Sequence, residues 1–362
     1  MREAIPGRRT GIPVRKSICV LLRGLRYAVR RAYVMNASDI LNVASPLELF
    51  SKQGFKLEYR KLASKWHPDK GGDPKVFAHI KKLYEKMDAV VSGGEVITLR
   101  SSDGVDHVFL PIKAGTFELG EVLICSDSIV YKTTWDNADL HKAFIENAKA
   151  ITFRNRSSRP GVAGPDFMPG TLIVFEGEDF GVIQINRPDN ALRLYDVLSH
   201  MGTVPERHVA WIVSRLLNLC CYLECIGMSH NAISTENVYI DPAQHTAYLL
   251  GGWFYAKDIG GTLIAVPKKT LDYAPHDLIR AKKGSIRTDL EMVKATAREL
   301  LGDISGARLY KTSAPKAFVD WLRAPCGDDA VKEFTYYYNT VLTEAFGPKK
   351  FVELKLSIFD IY

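Results

Sequence analysis

Residues 55–87 read FKLEYRKLASKWHPDKGGDPKVFAHIKKLYEKM, and the spacing within this stretch decides the first domain. Phe55, Tyr59, Leu62 and Trp66 step by four, three and four, which puts them in one stripe along a helix. Lys56, Arg60, Lys61 and Lys65 fall on the half turned away from that stripe. Pro68 disfavours helical geometry at the residue before it, so the helix ends at His67. Gly71-Gly72 permits a sharp reversal, after which Asp73 is an N-cap and Pro74 a first-turn proline. Val76, Phe77, Ile80, Leu83, Tyr84 and Met87 stripe the helix that follows. Two antiparallel helices zipped along these stripes expose HPDKGGD at their tip.

The helix EYRKLASKW, the tripeptide His67-Pro68-Asp69 and the helix VFAHIKKLYEKM together resemble the J-domain family over residues 38–90. The first helix, Pro46 to Lys52, is shorter than most in that family. The short Gly-Gly loop is similar to that of the compact J-domains of polyomavirus T antigens, which leans toward a viral or phage source. The resemblance implies a DnaK-type heat-shock chaperone as partner. His67, Pro68 and Asp69 would contact its nucleotide-binding domain and trigger ATP hydrolysis there. Lys56, Arg60, Lys61, Lys65 and Lys70 would steer docking onto an acidic surface, an effect that salt weakens. The plainer reading, a hairpin that only packs internally, explains the stripes but leaves the tripeptide and the basic face without a use.

Ahead of this domain the charge is lopsided. Residues 1–34 hold eight Arg and one Lys against the single Glu3, so they carry more than the whole chain's net +7. Ile18, Leu21, Leu22, Leu25, Val29 and Tyr33 recur at helical spacing there, with Arg23, Arg26, Arg30 and Arg31 between them. A basic amphipathic helix of this kind suits nucleic acid, an anionic membrane surface or a targeting role. Alternatively Met35 is the true start. The composition otherwise, 46% hydrophobic and 25% charged, is that of a globular protein, and no apolar run reaches membrane-spanning length. Six scattered cysteines without a paired ligand cluster read as buried free thiols in a reducing, cytoplasmic setting.

From Glu95 the period changes. Val96 to Leu99 and Val105 to Leu110 flank Ser-Ser-Asp-Gly, a hairpin signal. Strand-like segments follow at Thr116 to Cys125, Ser128 to Thr133, Thr171 to Phe175 and Gly181 to Ile185, with a helix at Asp136 to Ala150 between them. Residues 154–170, rich in Arg, Ser, Gly and Pro, read as a loop. After Leu192 the chain turns helical. Val209, Ile212, Val213, Leu216, Leu217, Cys220, Leu223 and Ile226 make a wide apolar face that a buried helix needs. A sheet-rich half and a helical half suggest an α+β body with a cleft between two lobes.

This order of elements resembles the protein-kinase fold, and local stretches carry the resemblance. GMSHNAISTENVYI is similar to the catalytic loop and the strand after it, with His230 at the loop histidine and Asn237 at the metal-binding asparagine. SIVYKTTW is similar to the third strand, which implies that Lys132 is the phosphate-contacting lysine and Glu146 its ion-pair partner. Tyr273-Ala274-Pro275-His276 is similar to the segment closing the activation loop, and Asp289 to the aspartate that braces the catalytic loop. The departures fall on the chemistry. Ala232 replaces the catalytic aspartate, Ser234 the loop lysine, and Gly251 in LLGGWFYAK the metal-holding aspartate. Phosphoryl transfer needs a positioned nucleophile and neutralised charge, which methyl and hydrogen side chains cannot supply. ATP is the cofactor the resemblance implies, while the missing carboxylates argue against magnesium.

The expectation is therefore a multi-domain α+β protein: a basic tail at 1–34, an all-α J-domain hairpin at 35–92, and a two-lobed kinase-like body. Its lobes would be 93–190, mostly β, and 191–362, mostly α. The function expected is a co-chaperone whose pseudokinase-like body binds a client, recruits a partner or senses nucleotide. One alternative is a divergent ATP-binding transferase in which Glu236, Asp241 or Asp258 replaces the lost carboxylates. Another is a nucleic-acid or membrane-surface adaptor acting through the tail.

Overall fold

The structure is a computed structural model that describes residues 35–362, except for 44–45, 52–53, 93–95, 158–167, 170–171, 189 and 349. The basic segment 1–34 and most of the expected loop 154–170 lie outside the described residues. Two compact units divide at Pro111 and Ile112.

The first unit opens with α1 (Ala37–Leu41), α2 (Pro46–Leu49), α3 (Phe55–Trp66) and α4 (Pro74–Ser92). A capping box between Asn36 and Asp39 starts α1. The stripes behave as their spacing requires. Phe55 and Leu62 of α3 are buried with Val76, Ile80, Leu83 and Met87 of α4, and Ile40, Val43, Leu49 and Phe50 complete the same core. Tyr59 stacks on Tyr84 at 4.1 Å between ring centroids. The unit ends in a hairpin, β1 (Ile97–Arg100) with β2 (Asp106–Phe109), paired Ile97 to Phe109. Lys86 of α4 lies over the Phe109 ring at 5.7 Å. The boundary therefore stands at 111 and not at 92, where the change of period placed it: the hairpin packs with the helices before it.

The second unit begins with β3 (Pro111–Phe117), β4 (Gly120–Cys125) and β5 (Ser128–Thr134), then α5 (Ala138–Ser157), β6 (Leu172–Glu176) and β7 (Phe180–Asn186). These strands form one sheet of five in the order β3-β4-β5-β7-β6. The single segment expected from Thr116 to Cys125 is in fact two strands, because the chain turns at Glu118-Leu119 and Gly120 takes a φ of 150°. A Cβ at Gly120 would lie 2.1 Å from the Lys132 carbonyl oxygen, so the strands approach each other there only because position 120 is glycine.

The chain then becomes mainly helical. It runs through β8 (Leu192–Arg193), α6 (Leu194–Met201), α7 (Glu206–Cys225), β9 (Met228–Ser229), β10 (Val238–Asp241), β11 (Thr246–Leu249) and β12 (Lys257–Asp258). The later helices include α8 (Lys268–Tyr273), α9 (His276–Ala281) and α10 (Ile286–Leu300). Val209, Ile212, Val213, Leu216, Leu217, Cys220 and Leu223 of α7 are all buried, as their apolar face demands. The thiols divide: Cys220 is in the core, Cys221 half-buried and Cys225 exposed, so the expectation of uniformly buried cysteines fails at the end of α7. The unit is a mixed α+β body with a sheet-rich part followed by a helical part. No helix among the described residues is long and apolar enough to cross a membrane.

Candidate functional site

The tip of the α3–α4 hairpin is built by the backbones of His67, Pro68, Gly71 and Gly72. His67 leaves the helix at φ −63° and ψ 133°, as the following proline requires. Pro68–Lys70 then form one 3₁₀ turn that His67 caps, its Nδ1 accepting the Asp69 N–H at 3.2 Å. Gly71 takes the left-handed conformation at φ 82°. Gly72 passes so close to α3 that a Cβ on it would stand 2.2 Å from the backbone of Trp66. Asp73 accepts the N–H of Lys75 at 2.8 Å and starts α4.

The result holds Pro68, Asp69 and Lys70 in solvent, with His67 half-buried against Phe77 at 5.0 Å, edge to face. Lys56, Arg60, Lys61 and Lys65 are exposed along α3. The Lys70 ammonium donates to Ser64 Oγ at 2.9 Å, Lys56 pairs with Asp88 at 3.8 Å, and the Lys65 ammonium lies over the Trp66 ring at 5.2 Å. The expected residues are thus brought together as one exposed surface of the first unit.

In the second unit the loop 230–237 is held from beneath. The buried carboxylate of Asp289 accepts the backbone N–H groups of His230 and Asn231 at 2.7 and 2.6 Å. Burial pushes the Asp289 carboxyl up to about 7. The His230 ring is buried, with Nε2 2.9 Å from the Gly251 carbonyl, and burial pushes it down to about 4. Asn237 donates to the Ala232 carbonyl at 2.8 Å, which ties the two ends of the loop together.

Lys132 requires a correction. Side chains alternate across a strand, and Lys132 lies opposite Glu121 of β4, with which it pairs at 3.1 Å. The inward position belongs to Tyr131, which packs against Phe117, Phe144 and Phe254 at 5.4, 5.8 and 5.6 Å. Glu146 is likewise on the outer side of α5, where it pairs with Lys142 at 3.8 Å. The expected Lys132–Glu146 pair does not form. What α5 turns inward is Phe144 and Asn147, whose side-chain amide donates to the carbonyls of Trp253 and Ala256.

At Gly251 a side chain has no room: a Cβ would meet Asn237 Oδ1 at 2.6 Å and the Tyr131 hydroxyl at 2.9 Å. Trp253 is fully buried and donates to the Leu249 carbonyl, so it packs beneath the cleft and does not plug it. Phe254 takes that place among the inward aromatics. Of the other carboxylates considered, Asp241 caps the turn at Ala243 and Gln244, and Asp258 lies in β12. Glu236 does face the cleft, but its carboxylate is bound by Lys269, which also binds Glu299, each at 2.8 Å. Against the cost of burial, the Lys269 ammonium holds the Glu236 carboxyl below its ordinary range.

What remains is a cleft of about 380 Å³ between the sheet and the helical part. Phe117, Tyr131, Arg193, Ser234, Asn237 and Lys269 are among its walls. Sequence reasoning missed Tyr131, Arg193 and Lys269. For Arg193 a signal existed: an arginine set between Leu192 and Leu194 has its charge placed among apolar neighbours. Among the described residues no group of three His, Cys, Asp or Glu is placed to hold a metal ion.

No protein-family model and no curated protein matches the chain. Among solved structures it is similar to the structure of vaccinia related kinase 3, at 14% identity and a TM-score of 0.46, over 68% of this chain and 90% of that one.

Proposed function

We propose that the chain is a co-chaperone that stimulates the ATPase of a DnaK-type chaperone through its first unit. The observation that supports this reading is the exposed His67-Pro68-Asp69 turn, rigidly held at the end of a hairpin whose α3 presents Lys56, Arg60, Lys61 and Lys65 outward. A turn fixed by Pro68, Gly71 and Gly72 meets a partner without first being ordered, which lowers the entropy cost of docking. The second unit, kinase-like in its order of elements, then serves as a scaffold that recruits a client. An ATPase assay with a DnaK-type chaperone tests the proposal. Stimulation by the wild type that is lost in His67→Gln supports it, and equal activity of the two proteins ends it.

A second reading, a divergent nucleotide-binding transferase, draws on the cleft itself, where Glu236, Asn237 and Asp272 stand in one wall. Against it stand the outward-facing Lys132 and the closed position at Gly251. A thermal shift with ATP, with and without magnesium, decides it. No shift at millimolar ATP removes the transferase reading.

A further inference from the structure

β3 is an edge strand. Among the described residues its one neighbour in the sheet is β4, and Ile112 to Thr116 are exposed. Thr116 and Phe117 at its end line the cleft, and the turn that follows adds Glu118. A strand held along one side only opens easily. β3 is instead fastened to the helical part at both ends. Near its start the Lys113 ammonium donates to Asp196 of α6 at 2.6 Å. Just past its end, one carboxylate oxygen of Glu118 accepts the Tyr255 hydroxyl at 2.7 Å. The other accepts the backbone N–H of Lys268, the first residue of α8, at 2.6 Å. Tyr255 and Lys268 line the same cleft from the helical part, so Glu118 spans its mouth.

The two fastenings differ in kind. The Asp196 side chain is 1% exposed, and its second oxygen has no hydrogen-bond partner among the described residues. Withdrawing Lys113 would strip a buried carboxylate of its ion pair, an expensive step. Glu118 is exposed, and a helix's first N–H has no partner within the helix. When Glu118 lets go, its carboxylate, the Tyr255 hydroxyl and the Lys268 N–H can all bond to water, so the net loss is small.

We propose that β3 is a lid over the cleft, hinged where Lys113 meets Asp196 and caught shut where Glu118 meets Tyr255 and Lys268. Shut, the lid sets Phe117 against Tyr131 and Phe254, at 5.4 and 5.5 Å between ring centroids, and keeps water from them. Released, the strand swings from Lys113 and uncovers these rings. The catch consists of the chain's own groups, so it controls access whatever the cleft takes. The proposal concerns the second unit alone and does not rest on the co-chaperone reading.

Hydroxyl-radical footprinting of the full chain tests it. Tyr131 and Phe254 in the cleft are 4% and 2% exposed, and Tyr337, in the helical core, is 0% exposed and serves as the control. Glu118→Ala removes the whole catch, two hydrogen bonds to a charged group. Oxidation of Tyr131 and Phe254 is then expected to rise about tenfold or more, with Tyr337 unchanged. Tyr255→Phe removes one of the two bonds and should give a smaller rise at the same residues. Amide exchange in Glu118→Ala should quicken from Gly115 to Gly120 more than at Lys113, the gradient a hinge produces. If Tyr337 is oxidised as well, Glu118→Ala has unfolded and Tyr255→Phe decides alone. Unchanged oxidation of Tyr131 and Phe254 in the folded variants overturns the lid, as does quicker exchange on β3 with no change in the cleft. Exchange that quickens equally at Lys113 overturns the hinge.

Discussion

The Tyr131 hydroxyl lies 2.9 Å from the point where a Cβ on Gly251 would stand. Tyr131 and Asn237, whose Oδ1 lies 2.6 Å from the same point, together occupy the room that any side chain at Gly251 would need. Gly251→Ala is expected to lower stability by about 1–3 kcal/mol, the usual cost of overpacking. Tyr131→Phe should return part of that loss in the double variant. Urea denaturation of the four proteins measures the coupling, and strict additivity would refute the packing account.

At the hairpin tip, Gly72→Ala would drive a Cβ to 2.2 Å from the Trp66 backbone. No rotamer relieves a backbone collision, so the turn must open. Stability of the first unit should fall by about 2 kcal/mol or more. Amide exchange on α3 and α4 would register it, and unchanged protection there would contradict the geometry.

Two buried groups beneath the loop titrate in opposite senses. His230 is pushed down to about 4 from an ordinary 6.5, so its contribution is whole above 6.5 and is lost as pH falls through about 4. Asp289 is pushed up to about 7 from 3.8, so its contribution is whole below 3.8 and is lost as pH rises through about 7. Between about pH 4 and 6.5 these slopes oppose each other. Asp289→Asn removes one of them. Its stability should then rise with pH across that window by up to about 1.4 kcal/mol per unit relative to wild type. Denaturation midpoints in a pH series would show the change in slope, and parallel profiles would refute it.

Reversing charge at Arg60 and Lys61 should slow association with a DnaK-type partner and leave the melting temperature within about 1 °C, since exposed surface changes cost little. Stopped-flow association at low and high salt is the measurement. The wild-type rate should fall steeply with salt and the variant's hardly at all.

The hairpin was legible because its sequence is punctuated. Pro68 stops one helix, Gly71 and Gly72 turn the chain, Asp73 and Pro74 start the next helix, and each acts through its own backbone. The face of β5 was not legible in the same way. Ser128, Ile129, Val130 and Tyr131 are all buried, so both sides of that strand are apolar and alternation cannot say which side meets the cleft. A family motif placed Lys132 inward, and the true face lies one residue away, the shift that exchanges every side chain of a strand. Asp289 was named from a family motif alone, and its bonds to the backbone of His230 and Asn231 join segments 59 and 58 residues apart, which periodicity does not show. The first boundary was misplaced because a change of period marks where strands begin, not which core they join. Arg193 and Tyr239 come from strands separated by two helices, β9 and a loop, and only pairing of those strands brings them together.

The apolar stripe of α3 fixes the rotation of that helix against α4, so residue number alone sets the direction in which each charge leaves the axis. The helix acts as a dial whose zero is His67. Moving one lysine a single position along it would swing that charge through about 100° while preserving composition, net charge and core. A partner that reads this surface would therefore distinguish proteins of identical formula by angle alone.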